Sequence, residues 1–367
     1  MTRILCHQQL IMMNNNKVIK TYSEESVKPY RWKWNWWFVI SLTIGHIGAL
    51  IGIYLAIMYA QIKTLVFYFI LIQFGATGII CGAHRLWTHR AYRAHFLLRI
   101  FLMICQTLAL QLSILQWCLF HRVHHKYSDT DADPHNAKRG FFYSHMGWIF
   151  TDRHPEYLEK SQKIDITDLE NDAVVWFQHR FYVPLVLLIT FMIPTFVPCF
   201  LWNESFINAT CLNLFRIALS LHQTALVNSA AHIWGSKPYD ERIKPTENRF
   251  TTYVTMGEAY HNYHHAFPWD YSASEFRWDV NYNPMTAFID LCAWLNLAWD
   301  RKKVDRKMIE ERLRKYGNQQ LMNVFDRQPK NLLLDTLFGL LTLFWALWVL
   351  LALRFLIHSS FMIQIIN

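Results

Sequence analysis

The sequence has little charge for its length. Only 17% of its 367 residues are charged, whereas soluble domains usually carry about 25%. Apolar residues make up 53% of the chain and aromatic residues 16%. This composition excludes a chain of ordinary soluble domains, although the length alone would allow roughly two or three of them.

Two other absences narrow the class of protein. The seven cysteines have no paired spacing, which excludes a disulfide framework and a zinc ribbon. The net charge of +9 comes with no basic and aromatic nucleic-acid motif, so we interpret it as attraction to anionic lipid at the cytosolic membrane surface. We expect the lipid bilayer, and no nucleic acid, as a partner.

The apolar residues stand in long blocks. Four blocks approach or exceed the roughly 20 residues that a helix needs to cross a bilayer; they are residues 36–60, 65–83, 181–201 and 211–231. We therefore predict an all-α integral membrane protein, a four-span helical bundle preceded by a cytosolic N-terminal segment of residues 1–34. A fifth block, residues 332–357, lies in an apolar C-terminal tail of residues 331–367. It forms either an extra span or a helix on the membrane surface.

Basic residues set the predicted orientation of the bundle. Several precede the first block, as the positive-inside rule requires of a cytosolic N-terminus; they are Lys17, Lys20, Lys28, Arg31 and Lys33.

Residues 96–120 are also apolar and long enough to span, but they include an arginine and three glutamines. If this stretch crossed the membrane, the histidine motifs before and after it would face opposite sides. We therefore predict a buried or interfacial helix here, within a membrane domain of residues 35–330 whose histidines lie on the cytosolic side.

Eight of the eighteen histidines fall into three tight groups. The groups are His84 and His89, then His121, His124 and His125, then His261, His264 and His265. Two groups share the spacing H-x-x-H-H, which places three imidazoles on one face of a helix. Neutral imidazole is a good ligand for iron, zinc or copper. Eight nitrogens exceed what one metal can use, so the pattern indicates two metals.

The alternative is that this spacing is incidental, because helical spacing is easily met by chance. Three groups at predicted cytosolic membrane edges argue against chance. We interpret other, isolated histidines as packing or snorkelling residues; these are His7, His46, His95, His179, His222 and His358.

The three groups belong to longer motifs. Residues 82–89 are GAHRLWTH, residues 133–136 DPHN, residues 139–142 RGFF, residues 228–232 NSAAH, residues 270–278 DYSASEFRW and residues 298–303 AWDRKK. Together these motifs closely resemble the animal acyl-CoA desaturases of the stearoyl-CoA Δ9 type, over roughly residues 30–318.

The resemblance implies a multi-pass enzyme of the endoplasmic reticulum membrane, with a cytosolic helical cap of residues 84–180 and 232–330. It implies two Fe²⁺ ions held by the eight grouped histidines and His232, with Asn228 holding a water on one metal. The substrate would be a fatty acyl-CoA in a closed, kinked tunnel, with O₂ as co-substrate. Electrons would come from NADH through cytochrome b5 reductase and cytochrome b5.

Desaturation fits a metal site, because no protein acid or base can remove hydrogen from an unactivated methylene group. Nine neutral donors leave most of the charge of two irons uncompensated, so we expect carboxylates to hydrogen-bond the histidine ligands. The candidates are Asp129, Asp133 and Glu258. The alternative for each of them is a solvated loop charge.

The sequence departs from the family along the substrate approach. Gln111 and Trp117 are kept, but Leu112 stands where the family has Asn, and Leu119 and Phe120 stand where it has Arg and Asp. Those family residues contact or orient the acyl-CoA. Their loss removes charge-assisted contacts worth about 1.5–3 kcal/mol each.

Two further departures concern the head group and the tunnel. An Arg-Lys pair that meets coenzyme A phosphates in the family is Asp152-Arg153 here, and an aromatic residue before the Asn228 motif is Ala225. The first departure puts negative charge near an anionic ligand, and the second predicts a wider tunnel near its kink. We therefore predict a Δ9-like acyl-CoA desaturase with a changed chain or position preference and weaker coenzyme A affinity.

Three alternatives are open at this point. A related di-iron hydroxylase or conjugase shares the hydrogen abstraction and differs only in the later step. A non-catalytic paralogue that binds acyl-CoA or metal would explain the missing Arg and Asp. A metal transporter is disfavoured, because its ligands would lie at mid-membrane depth and not at the cytosolic edge.

Overall fold

The computed structural model describes residues 30–318 and 332–366. Residues up to Lys33 belong to a separate N-terminal unit, of which residues 30–33 are described and are not helical. The larger unit begins at Trp34 and is almost entirely helical.

The elements of the larger unit follow one another with short connections. The first half contains α1 (Trp36–Met58), α2 (Ile62–Thr88), β1 (Arg93–Ala94), α3 (Phe96–Leu108), α4 (Ile114–Lys126), α5 (Phe141–His145), α6 (Pro155–Ser161), α7 (Thr167–Glu170) and α8 (Ala173–Arg180). The second half contains α9 (Tyr182–Trp202), α10 (Phe206–Asn228), α11 (Ala230–Ile233), α12 (Arg249–Val254), α13 (His261–Ala266), α14 (Pro284–Trp294), β2 (Ala298–Trp299), α15 (Arg306–Tyr316), α16 (Leu332–Leu343) and α17 (Trp345–Ile366).

Among the described residues, three helices are long and apolar enough to cross a membrane by length and composition: α1, α2 and α9. The fourth predicted span is also a helix, the 23-residue α10, but its composition is more polar. Its Arg216 is buried and donates to Leu108 O at 3.0 Å and to Asn213 Oδ1 at 2.8 Å. An arginine inside such a helix is tolerated because its donors are satisfied by neighbouring chain.

Two glycines let α1 and α10 approach closely. A Cβ atom on Gly52 would lie 2.4 Å from Cys211 O, and one on Gly48 would lie 2.4 Å from Leu214 Cδ1. Small residues one turn apart are a common way to bring membrane helices together. The α1–α10 contact therefore depends on the missing side chains.

The stretch 96–120 is not the single helix that we predicted. It is divided into α3 and α4, each of 13 residues, by a turn at residues 109–113. Leu110 and Leu112 take positive φ angles of 56° and 69° in this turn. The turn is held by Gln106, whose Nε2 donates to Leu112 O at 2.8 Å. The stretch enters the bundle as α3 and returns as α4, and its two histidine-bearing flanks stay together.

Short elements surround the histidines. β1 pairs antiparallel with β2, with Arg93 opposite Trp299, an element that the sequence did not predict. The amphipathic helix predicted at 304–316 is confirmed as α15, which buries Ile309 and Leu313.

The C-terminal tail packs against the bundle. Ala346, Leu347 and Leu350 of α17 form one apolar cluster with residues of α1, α2 and α10, among them Ala56 and Leu65. The Arg354 guanidinium donates to Ala60 O in the turn between α1 and α2. The tail is thus a part of the helical assembly.

Candidate di-metal site and central cavity

Four segments bring the grouped histidines together. The end of α2 becomes π-helical over Gly78–Thr88 and carries His84, with His89 as its cap. The last two turns of α4 carry His121, His124 and His125. The short α11 carries His232, and α13 carries the HNYHH sequence of residues 261–265. A π-helical turn is often found at functional sites, and here it ends at the first histidine pair.

The nine histidines divide into two sets around two centres. The first set has five members: His84, His89, His121, His125 and His264. The second set has four members: His124, His232, His261 and His265. Within each set the ligand atoms all lie within 4.8 Å of one another. Each H-x-x-H-H motif therefore contributes to both centres.

Within the two sets, ring nitrogens face one another at short range. In the first set, His264 Nε2 lies 2.9 Å from His84 Nε2 and 3.0 Å from His125 Nε2. In the second set, His261 Nε2 lies 3.0 Å from His232 Nε2 and 3.2 Å from His265 Nε2.

Carboxylates fix the tautomers of three of these rings. Glu258 Oε2 lies 2.7 Å from Nδ1 of His84, Asp133 Oδ2 lies 2.9 Å from Nδ1 of His124, and Asp129 Oδ2 lies 3.4 Å from Nδ1 of His232. Because Nδ1 donates to a carboxylate, Nε2 of the same ring presents a lone pair to the centre. All three carboxylates that the sequence offered as candidates lie on histidines of the two sets.

Converging lone pairs repel unless a cation or a proton lies between them. Protons are disfavoured, because burial and the neighbouring imidazoles hold the pKa values of His261, His264 and His265 well below the ordinary range. The same causes lower the pKa values of His121 and His125. The donor sets therefore fit two transition-metal ions bound by neutral imidazole.

The carboxylates are themselves held in the charged form. Burial alone would raise the pKa of Glu258, but the adjacent Arg85 and His84 lower it to about 2. Burial likewise opposes ionisation of Asp133, and the neighbouring His124 and His135 lower its pKa below the ordinary range. Each carboxylate thus supplies negative charge next to a metal centre.

Two residues near the metal centres were missed by the sequence analysis. Arg85 is buried, donates to Glu258 through Nε at 3.1 Å and donates to Thr286 Oγ1 at 2.9 Å. His135 is buried with Nδ1 3.6 Å from Asp133 Oδ1, and burial lowers its pKa to about 3. His135 lies in the DPHN motif, which was the available signal.

A central cavity adjoins the metal centres. Apolar side chains form most of its wall, with His84, His121 and His261 at one end. The apolar residues are Ala76, Ile79, Ile80, Trp117, Val227, Val254 and Met256. Asn228, predicted to hold a metal-bound water, lines the same cavity beside the histidines.

The predicted tunnel residues lie at different distances from this cavity. Trp117 lines the cavity and packs on His121, with ring centroids 4.8 Å apart. Gln111 is buried and donates to Oγ1 of the cavity-lining Thr224 at 3.0 Å. Ala225 is buried, but the cavity wall on α10 is formed by its neighbours Ser220, Gln223, Thr224, Val227 and Asn228.

The residues predicted to meet the head group form a separate aromatic cluster. Phe120 stacks on Tyr157 with ring centroids 5.2 Å apart. The Arg153 guanidinium lies 4.6 Å from the centre of the Phe120 ring and donates to Trp148 O at 2.8 Å. Asp152 is exposed, and Leu119 is half-buried on α4. Phe120 therefore serves as a packing surface for Arg153.

Two of the isolated histidines are not isolated in space. His222 Nε2 lies 3.2 Å from His46 Nε2, and its Nδ1 lies 2.9 Å from His145 Nε2. His145 Nδ1 lies 2.9 Å from Ser229 Oγ. This chain of imidazoles links α1, α10 and α5, which agrees with packing roles for His46 and His222.

The sequence matches the family model "Fatty acid desaturase" over residues 61–279. It is 49% identical over 292 residues to an acyl-CoA Delta-9 desaturase of Acheta domesticus, covering 79% of this chain and 81% of that protein. It is 45% identical over 299 residues to a stearoyl-CoA desaturase of Mesocricetus auratus, covering 81% of this chain and 84% of that protein. It is also 45% identical over 291 residues to an acyl-CoA Delta(11) desaturase of Trichoplusia ni, covering 79% of this chain and 83% of that protein.

These matches and the histidine site define an oxidoreductase of lipid metabolism. The chain belongs to the fatty acid desaturase family. The resemblance inferred from the motifs is confirmed.

Proposed function

We propose that the protein is an O₂-dependent fatty acyl-CoA desaturase that inserts a Δ9-like double bond, with a changed preference for chain or position. The observation that carries the proposal is the apolar cavity that ends at histidines of both metal sets. A saturated chain lying along this cavity would bring one pair of methylene groups to the centres. The relatives named for Delta-9 and Delta(11) activity support the reaction class.

The nine histidines would hold two iron ions: His84, His89, His121, His125 and His264 at one centre and His124, His232, His261 and His265 at the other. Bound iron would supply the reaction of O₂ that removes two hydrogens from the acyl chain. The protein's own carboxylates hold the tautomers: Glu258, Asp133 and Asp129 accept the Nδ1 protons, so that Nε2 is free to bind.

The cavity wall has a separate task. Its aliphatic residues on α2 and α10 exclude water and fix the acyl chain by shape, because a methylene chain offers no hydrogen bonds. Asn228 is a polar group of this wall next to the histidines, and we assign it the water on the four-histidine centre. Regioselectivity follows from the length of cavity between its mouth and the metals.

The head-group region supports weaker coenzyme A affinity. Arg153 is engaged by Phe120 and Trp148, and the exposed Asp152 repels phosphate. A cationic side chain that is already stacked and hydrogen-bonded must leave these partners before it can bind an anion. We therefore assign the altered substrate approach to residues 119, 120, 152 and 153.

The membrane arrangement of this proposal has four spans, α1, α2, α9 and α10, in the endoplasmic reticulum membrane. The N-terminus and the histidines are cytosolic, where cytochrome b5 would deliver electrons from NADH. The α16–α17 segment adds a fifth crossing: Phe338 packs near Tyr253 on the histidine side, whereas Arg354 binds Ala60 O in the α1–α2 turn at the opposite side.

The test is expression of the full chain in yeast that lacks its own Δ9 desaturase, with mass-spectrometric mapping of double bonds in the lipids. We expect unsaturated products whose chain length or bond position differs from ordinary 16- and 18-carbon Δ9 products. A His261→Ala variant is the inactive control. Full rescue with ordinary Δ9 products would contradict the altered preference. Hydroxylated products would identify the hydroxylase alternative, and bound iron without any product the non-catalytic one.

A further inference from the structure

The C-terminal helix pair, α16 and α17, lies outside the region matched by the family model, which ends at residue 279. It nevertheless makes intimate contacts. α16 packs against α12, with the Phe338 and Tyr253 ring centroids 6.4 Å apart. Gly339 is buried so closely on the Tyr282 ring that a Cβ atom there would lie 2.0 Å from ring carbons. The absence of a side chain at residue 339 is therefore what lets α16 dock.

The other half of the pair covers the groove between α2 and α10. Leu347 and Leu350 of α17 belong to one apolar cluster with Ile72 of α2, and Leu219 of α10 packs against the same cluster. Burial in a shared cluster places all four side chains on one side of the bundle. α17 therefore lies over the groove on its membrane-facing side.

The groove continues into the central cavity. Ala76 lies one helical turn beyond Ile72, and Gln223 lies one turn beyond Leu219; both line the cavity. Residues four apart point from the same face of a helix. The cavity is therefore the continuation, towards the histidines, of the groove that α17 covers.

α16 reaches the cavity wall from outside. Tyr253, which faces Phe338, precedes Val254, and Val254 lines the cavity. Gln223 Nε2 donates to Val254 O at 3.4 Å and so joins α12 to α10 across the wall. The sequence of contacts from Gly339 through Tyr282 and Tyr253 to Val254 is continuous.

We infer that the C-terminal helix pair forms the outer wall of the central cavity on the membrane side and thereby restricts which acyl chains the cavity accepts. The inference rests on the proposed function for its substrate, an acyl chain. A wall that yields at this side would let longer or bulkier chains bend towards the bilayer. A docked pair confines the chain to the space between α2 and α10.

The test compares two glycine variants of the full chain. Gly339→Leu places a side chain where Tyr282 already stands, and should push α16 off the cavity wall. Gly45→Leu is the matched control, because a Cβ atom on Gly45 meets nothing within 4 Å. We expect Gly339→Leu to change the ratio of 18-carbon to 16-carbon unsaturated products by about three- to tenfold in yeast. Gly45→Leu should leave the ratio as in the unchanged protein.

A second measurement does not depend on catalysis. A Val254→Cys change puts a thiol on the cavity wall, and its alkylation by a membrane-permeant maleimide is followed by mass spectrometry of the peptide that contains residue 254. We expect alkylation several times faster when Gly339→Leu is added, and unchanged when Gly45→Leu is added.

The outcomes separate the two proposals. If the unchanged protein makes no unsaturated product, the proposed function fails, and the alkylation rates still test the wall. If Gly339→Leu does not fold, Phe338→Ala takes its place with the same expected directions. Equal alkylation rates, or faster alkylation with an unchanged product ratio, would overturn the inference.

Discussion

Arg85 and Glu258 form a buried ion pair directly behind the first metal centre. Arg85 donates through Nε to Glu258 Oε1 at 3.1 Å, while Glu258 Oε2 accepts the Nδ1 proton of His84 at 2.7 Å. Thr286 and the carbonyl oxygen of Tyr271 accept from Nη1 of the same guanidinium. One carboxylate thus joins the core of the protein to the orientation of a metal-binding ring.

The first prediction concerns this pair. Glu258→Gln removes the charge that compensates Arg85, and a broken buried pair costs about 3–5 kcal/mol. It also weakens the hold on His84, so metal affinity should fall about 10- to 100-fold. Thermal unfolding in detergent and iron quantification after purification measure the two effects.

The matched control for Glu258→Gln is Asp279→Asn, which breaks the exposed ion pair of Asp279 with Arg277. An exposed pair contributes about 1 kcal/mol or less, so neither stability nor iron content should change appreciably. Equal behaviour of the two variants would show that Glu258 does not support the site.

The second prediction is acid lability of the metal-free protein. Burial and neighbouring imidazoles lower the pKa values of the site histidines, and burial lowers that of His135 to about 3. Above the ordinary histidine pKa, both the folded and the unfolded states are neutral and stability is independent of these groups. As the pH falls below about 6.5, the unfolded chain binds protons that the folded chain does not, so the free energy of unfolding decreases.

Each such histidine contributes a slope of about 1.4 kcal/mol per pH unit. Thermal unfolding of the metal-free protein in detergent between about pH 7.5 and 5 measures the sum. A His135→Asn change should reduce the slope by one such contribution. A flat profile would mean that the imidazoles titrate in the folded state.

The sequence predicts the helices and the grouped histidines well, because both follow from local patterns. The long apolar blocks correspond to α1, α2, α9 and α10, and H-x-x-H-H spacing requires only a helix to converge. The same spacing could not assign His124 and His125 to different centres, because the distribution depends on how α4 meets α13.

Features that depend on tertiary contacts were not predictable. The turn between α3 and α4 places Leu110 and Leu112 in the left-handed region, where leucine has no local preference; buried Gln106 holds it there. Arg85 and His135 belong to no spacing pattern, so their roles emerge only when Glu258 and Asp133 are placed beside them. Likewise Phe120 gave no sign that it would stack with Arg153.

The third prediction concerns the head-group region. A Leu119→Arg and Phe120→Asp double variant supplies the charges that the family has at these positions and removes the ring on which Arg153 lies. A single regained charge-assisted contact of about 1.5 kcal/mol would lower KM for acyl-CoA about tenfold. A steady-state assay with membranes measures KM and kcat.

The control for this double variant is Glu156→Arg, which adds positive charge at the exposed start of the nearby α6. A general attraction of anionic substrate would lower KM in both variants. A decrease confined to the double variant supports specific contacts at residues 119 and 120, whereas unchanged KM would contradict the assignment of weak coenzyme A affinity to these positions.

The fourth prediction tests the close contact of α1 and α10. Gly52→Ala adds a Cβ atom that would lie 2.4 Å from Cys211 O, a backbone atom that cannot move aside without shifting α10. Overpacking of this kind costs about 1–3 kcal/mol, so the midpoint of thermal unfolding in detergent should fall. Gly45→Ala adds the same methyl group to the same helix with nothing within 4 Å, and should have a midpoint close to that of the unchanged protein. Because α10 also carries Gln223, Val227 and Asn228 of the cavity wall, a shift of α10 in Gly52→Ala should lower kcat as well. A lowered midpoint with full kcat would mean that the two helices can separate without disturbing the cavity.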